Sequence, residues 1–145
     1  MATTLPPLRD ERSRWRRVQA PVLVAVALLA ASVALHLRDP HRAGSWGFCP
    51  WLALTGTYCP GCGGLRAVND LTHGDVAAAA SSNLLFVGAL PLLGLWWGRS
   101  VVDGWRGVRR HVDERRALLV TYAVLGATVV FWVVRNLPFA GWLTP

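Results

Sequence analysis

Residues 18–37, 76–98 and 117–134 carry no Asp, Glu, Lys or Arg, and arginine-, glycine- and aromatic-rich stretches separate them. Crossing the hydrocarbon core takes about 20 helical residues, with about 17–25 tolerated. All three runs have that length. Inside lipid every backbone amide must be satisfied within its own segment, so such runs become helices. A helix of a water-soluble bundle keeps a continuous polar face, and none of these runs has one. The pattern therefore predicts an all-α integral membrane protein with three transmembrane helices. The first run also fits a cleavable leader, with Arg16 and Arg17 ahead of it and Ser32-Val33-Ala34 as a small-residue site. Its full span length favours a retained helix.

The intervening stretches carry weaker signals. Arg38-Asp39-Pro40-His41 ends the first helix. Residues 44–58 hold Trp46, Phe48, Trp51 and Tyr58, aromatics of the kind that sit at the membrane–water interface. Leu65, Val68 and Leu71 recur at helical spacing and predict a short amphipathic interfacial helix over 65–72, closed by Gly74. Asp75 is placed to cap the second span, where its carboxylate meets free amides and the positive helix end. Within that span Pro91 predicts a kink. Asn83, costly against lipid, is expected to face inward in an interhelical hydrogen bond. In 99–116, Val101, Trp105, Val108 and Val112 make one apolar stripe among arginines, which suits a basic helix lying on an anionic leaflet.

Composition sharpens the picture. The 145 residues are 53% hydrophobic with mean hydropathy +0.36, too apolar for an ordinary soluble domain. The net charge of +7 comes entirely from arginine. Eleven of the fifteen arginines lie in 1–17 and 99–116. The positive-inside rule then puts a disordered 1–17 tail and the basic 99–116 loop in the cytoplasm. The 38–75 loop and the 135–145 tail fall on the extracytoplasmic side. Arginines that flank spans are topology signals, so a nucleic-acid partner is excluded. The partners expected are the lipid bilayer and either another membrane protein or a second copy of the chain.

All three cysteines sit in the outward loop, as Cys49, Cys59 and Cys62. Three chemistries fit. Two residues between Cys59 and Cys62 let both sulfurs reach one ion, as in a zinc knuckle, with Cys49 as a third ligand and His73, His41, water or a second subunit as the fourth. Alternatively, a Cys-x-x-Cys in an oxidising compartment can exchange disulfides, with Cys59 as the attacking thiolate and the following helix lowering a cysteine pKa. A single structural disulfide would leave one thiol over. No acid–base pair or triad accompanies the cysteines, which favours a non-enzymatic membrane component or partner subunit.

The string Cys49-Pro50, Thr55-Gly56, Cys59-Pro60-Gly61-Cys62-Gly63, Arg66-Ala67, Gly74-Asp75 and Asn83 resembles the bacterial family DUF2752, and Arg135-Asn136-Leu137-Pro138 resembles its end. The resemblance implies a small multi-span protein of a bacterial cell membrane with a cysteine-rich loop. It singles out Arg66, Asp75, Asn83, Arg135 and Asn136 as structural polar residues. Arg66 and Asp75 are expected to pair with each other or with Asp70. Position 65, where the family usually has Thr, is Leu here.

Overall fold

A computed structural model describes residues 8–9, 13–42, 44–46, 48–109 and 112–144. Most of the 1–17 tail lies outside the described residues. The chain is helical apart from a two-residue antiparallel pairing of β1 (Leu8–Arg9) with β2 (Val108–Arg109). The helices are α1 (Arg14–Leu37), α2 (Pro50–Thr55), α3 (Gly64–Thr72), α4 (Val76–Arg106) and α5 (Glu114–Arg135), followed by a 3₁₀ turn, Gly141–Leu143.

Among the described residues α1, α4 and α5 are long and apolar enough to cross a membrane. In the most apolar stretch of each, only 11%, 17% and 6% of residues are buried against the rest of the chain. That much exposed Leu and Val has no place in water, so lipid is the environment that suits it. The interfacial helix expected over 65–72 is α3, one residue longer at its start.

The second span differs from expectation. Pro91 lies within a helical stretch, and the break in α4 falls at Asn83, whose backbone is extended (φ −160°, ψ 91°). Asn83 Oδ1 accepts from the Phe86 amide at 3.0 Å. That is an N-cap bond, so α4 is two helices in series and Asn83 starts the longer one. The apolar stripe expected in 99–116 also divides differently. Residues through Arg106 continue α4, and Gly107, in the left-handed region at φ 71°, ends it.

Contacts gather at the two ends of the spans. At one end the Arg17 Nε donates to the Gly104 carbonyl at 2.8 Å, Trp97 Nε1 donates to the Pro21 carbonyl at 3.0 Å, and Trp15 meets Trp105 edge-to-face at 5.4 Å. The backbones approach closely there: a Cβ added at Gly104 would lie 3.3 Å from the Arg17 carbonyl oxygen. At the other end α3 is wedged between α1 and α4. Ala67 and Ala79 are fully buried, and Asn69 donates to the Leu35 carbonyl at 2.7 Å. Phe131, Ala140 and Leu143 pack with Leu85 and Val134, which ties α5 and the 3₁₀ turn to α4. The cysteine loop closes over this second end.

Candidate metal centre

Short local signals set the loop. Pro50 occupies the first helical position after Cys49, where its missing N–H costs nothing, and Gly56 ends α2 in the left-handed conformation. Trp51 of α2 packs edge-to-face on Trp132 of α5 at 5.6 Å. The Cys59–Cys62 turn closes with the Cys62 amide donating to the Cys59 carbonyl at 3.1 Å. Gly63, at φ 80°, then turns the chain into α3, a conformation a β-carbon would strain.

These pieces bring the three sulfurs together. Cys59 Sγ and Cys62 Sγ are 2.9 Å apart, Cys62 and Cys49 3.3 Å, and Cys49 and Cys59 3.6 Å. None is bonded to another. A tetrahedral ion with metal–sulfur bonds of about 2.3 Å sets its sulfurs about 3.8 Å apart. The triangle is slightly tighter than that, and each side needs less than 1 Å of expansion to accept an ion. Gly61 gives room, since even an added Cβ there would stop 3.9 Å from Cys59 Sγ.

The sulfurs differ electrostatically. Amides of Leu52 and Trp51 in the first turn of α2, with the Cys62 and Cys59 thiols, lower the Cys49 pKa against a smaller opposing effect of burial. Burial, and then the neighbouring Cys59 and Cys49 thiols, push Cys62 up to about 12. These effects favour the thiolate at Cys49, just ahead of α2, and disfavour it at Cys62.

Three polar side chains from the span ends hold the turn in place. Asn83 Nδ2 donates to the Pro60 and Cys62 carbonyls at 2.9 and 3.1 Å. Asn83 therefore bonds the loop, not a neighbouring span as expected. Arg135 is 1% exposed. Its Nη1 donates to the Cys59 and Cys62 carbonyls at 3.0 and 3.1 Å, and its Nη2 to the Leu143 carbonyl at 3.0 Å. The guanidinium lies over the Phe131 ring at 4.9 Å, and its Nε finds no partner among the described residues. Asn136 clamps Tyr58 from both sides, accepting its amide at 2.8 Å and donating to its carbonyl at 2.9 Å.

Other expected participants lie elsewhere. His73 stacks on His36 with ring centroids 4.3 Å apart, and its Nδ1 is 2.8 Å from the Asn69 carbonyl. It follows the C-terminal end of α3 while Cys62 precedes the N-terminal end, so it does not join the sulfurs as a fourth ligand. His41 Nε2 is 2.8 Å from Asp70 Oδ1, and Asp70 Oδ2 accepts from Ser82 at 3.0 Å. Arg66 donates to the Pro40 carbonyl at 3.4 Å and not to Asp70 or Asp75. Asp75 is exposed and caps α4 through the Ala78 amide at 2.8 Å. Sequence reasoning missed α2, though a Pro at its start and a Gly at its end are its signature. It also missed the clamping role of Arg135, for which an arginine ending a span without an acidic neighbour was the available sign.

Residues 49–97, about a third of the chain, match the family model described as "Protein of unknown function (DUF2752)". The matched segment contains the three cysteines and Asn83, while Arg135 and Asn136 lie beyond it. No curated protein and no solved structure matches the chain.

Proposed function

We propose that this is a non-enzymatic, multi-pass membrane protein that holds a thiophilic divalent ion, zinc foremost, on Cys49, Cys59 and Cys62. The observation that carries this reading is the triangle of unbonded sulfurs, 2.9–3.6 Å on a side, drawn from two separate turns. Soft thiolates favour zinc and its heavier relatives over hard cations. The arginine distribution supports a cytoplasmic N-terminus and an extracytoplasmic cysteine loop, in a bacterial cell membrane. There the loop sits where another membrane protein or a second copy could meet it. Thiol–disulfide exchange is the second reading, favoured by the 2.9 Å approach of Cys59 and Cys62.

Elemental analysis and thiol counting on detergent-purified protein separate the two. The metal reading expects one ion per chain, and three thiols that react only after chelation, because ligated thiolates are masked. Replacing any one cysteine by serine should remove the ion. Absence of metal, together with a Cys59–Cys62 linkage that dithiols open and close, transfers the assignment to the second reading. Topology is checked separately with compartment reporters near Gly104 and Gly141. A cytoplasmic signal near Gly141 would place the cysteines inside and overturn the orientation.

A further inference from the structure

We propose that the three-thiol centre keeps one coordination position for an incoming thiolate, so that the ion can be passed to or from a second molecule. This rests on the metal reading above and goes beyond it. Among the described residues the side chains that can meet at one ion are Cys49, Cys59 and Cys62, with no histidine or carboxylate among them. The two histidines that could have completed the set are engaged elsewhere, His41 with Asp70 and His73 with His36. Zinc and its relatives take four ligands at closed structural sites, and a site with three protein ligands leaves a position for a ligand from outside.

The surroundings indicate what that ligand is. All three cysteines line one groove of about 490 Å³, open to the surroundings. Arg42 and Arg66 line the same groove, with Trp46 and Phe48, both largely exposed. Two arginines lining the groove that the sulfurs share favour an anionic donor. An ion already bound by sulfur favours a soft donor. Anionic and soft together specify a thiolate, carried either by a small thiol or by a cysteine of a polypeptide.

Charge balance agrees. Three thiolates and a divalent ion carry one net negative charge, and buried Arg135, which has no carboxylate partner among the described residues, offsets it. A fourth thiolate adds one more negative charge, in a groove that Arg42 and Arg66 also line. As the thiol binds, its sulfur–hydrogen bond breaks, a metal–sulfur bond forms, and the proton passes to solvent. No electron moves. Ion transfer then needs only the stepwise exchange of one thiolate for another.

Cobalt(II) in place of zinc makes the step visible, because each cobalt–thiolate bond adds to the ultraviolet charge-transfer absorption. The full-length protein in detergent is loaded with cobalt under nitrogen and titrated with 2-mercaptoethanol. Parallel titrations use a short cysteine-containing peptide, its serine counterpart and imidazole. The expected result is a saturable rise in charge-transfer intensity, in proportion to a change from three thiolates to four, while the cobalt stays with the protein. The serine peptide and imidazole should produce none. Arg42→Gln and Arg66→Gln should each raise the half-saturating thiol concentration about twofold to fivefold, as exposed charge contacts do. Half-saturation at lower concentration by the peptide than by 2-mercaptoethanol identifies a polypeptide donor, and the reverse identifies a small thiol. Cobalt bound in a four-ligand spectrum that no thiol alters overturns this proposal alone. A saturable shift of the visible cobalt d–d bands on adding imidazole, at concentrations no higher than those of thiol, overturns the thiolate specificity. Failure to bind cobalt or zinc at all overturns the metal reading with it.

Discussion

Replacing Arg135 by leucine should cost about 1.5–3 kcal/mol of stability, the scale of hydrogen bonds made by a charged group. The guanidinium satisfies the Cys59, Cys62 and Leu143 carbonyls at 3.0–3.1 Å in a site 1% exposed. Leucine fills part of the volume; the Cys59 carbonyl keeps the Cys62 amide and the Cys62 carbonyl keeps Asn83, while the Leu143 carbonyl is left bare, at about 1–3 kcal/mol for a buried unsatisfied group. Burying the guanidinium is itself expensive, and its loss gives some of this back. The lost charged hydrogen bonds and the bare Leu143 carbonyl exceed that return, so the net effect is a loss. Arg135→Lys should recover less than half, because one ammonium cannot reproduce a planar fork that reaches both the cysteine turn and Leu143. Thermal melting in detergent, read with metal content, checks this. A loss below about 1 kcal/mol would mean that water satisfies the carbonyls and that the turn stands open.

For Asn83→Leu the sequence alone gives about 0.6 kcal/mol, the average for a hydrogen bond between spans. The geometry raises that to about 2–3 kcal/mol, since one side chain caps the long segment of α4 and also bonds two carbonyls of the cysteine turn. Asn83→Asp separates the two jobs. A carboxylate still accepts from Phe86 but faces the Pro60 and Cys62 carbonyls with no donor to offer. It should restore helix content without restoring metal affinity. Circular dichroism and a competitive zinc titration on the two variants decide the point. Equal recovery of both properties by Asp would show that the cap alone matters.

The spans were legible because runs of apolar residues obey a length rule that little else in the chain can override. Helix α3 was legible from the spacing of Leu65, Val68 and Leu71, and the cap at Asp75 from its position before a helix. The break in α4 was not. Proline is the usual cause of a kink, but Pro91 sits nine residues into the long segment that Asn83 begins, and the helix stays regular around it. At the break is a polar side chain two of whose three partners, the Pro60 and Cys62 carbonyls, lie more than twenty residues away, and no local pattern encodes that. The same holds for His73, whose chemistry fits a metal and whose place just past the end of α3 does not. The triangle of Cys49 with Cys59 and Cys62 was half legible: two residues of spacing bring the last pair together, while Cys49 reaches them only because α2 docks on α5 through Trp51 and Trp132.

The clamp on the cysteine turn also sets a timetable for making the protein. Arg135 lies 73 residues after Cys62, whose carbonyl it holds. A ribosome adding about 5–20 residues per second exposes the cysteines about 4–15 s before that side chain exists. For that interval the thiols lack the scaffold that gathers them. The centre is therefore completed by the last span to insert, and a chain stalled before α5 presents three loose thiols where the finished one presents a site.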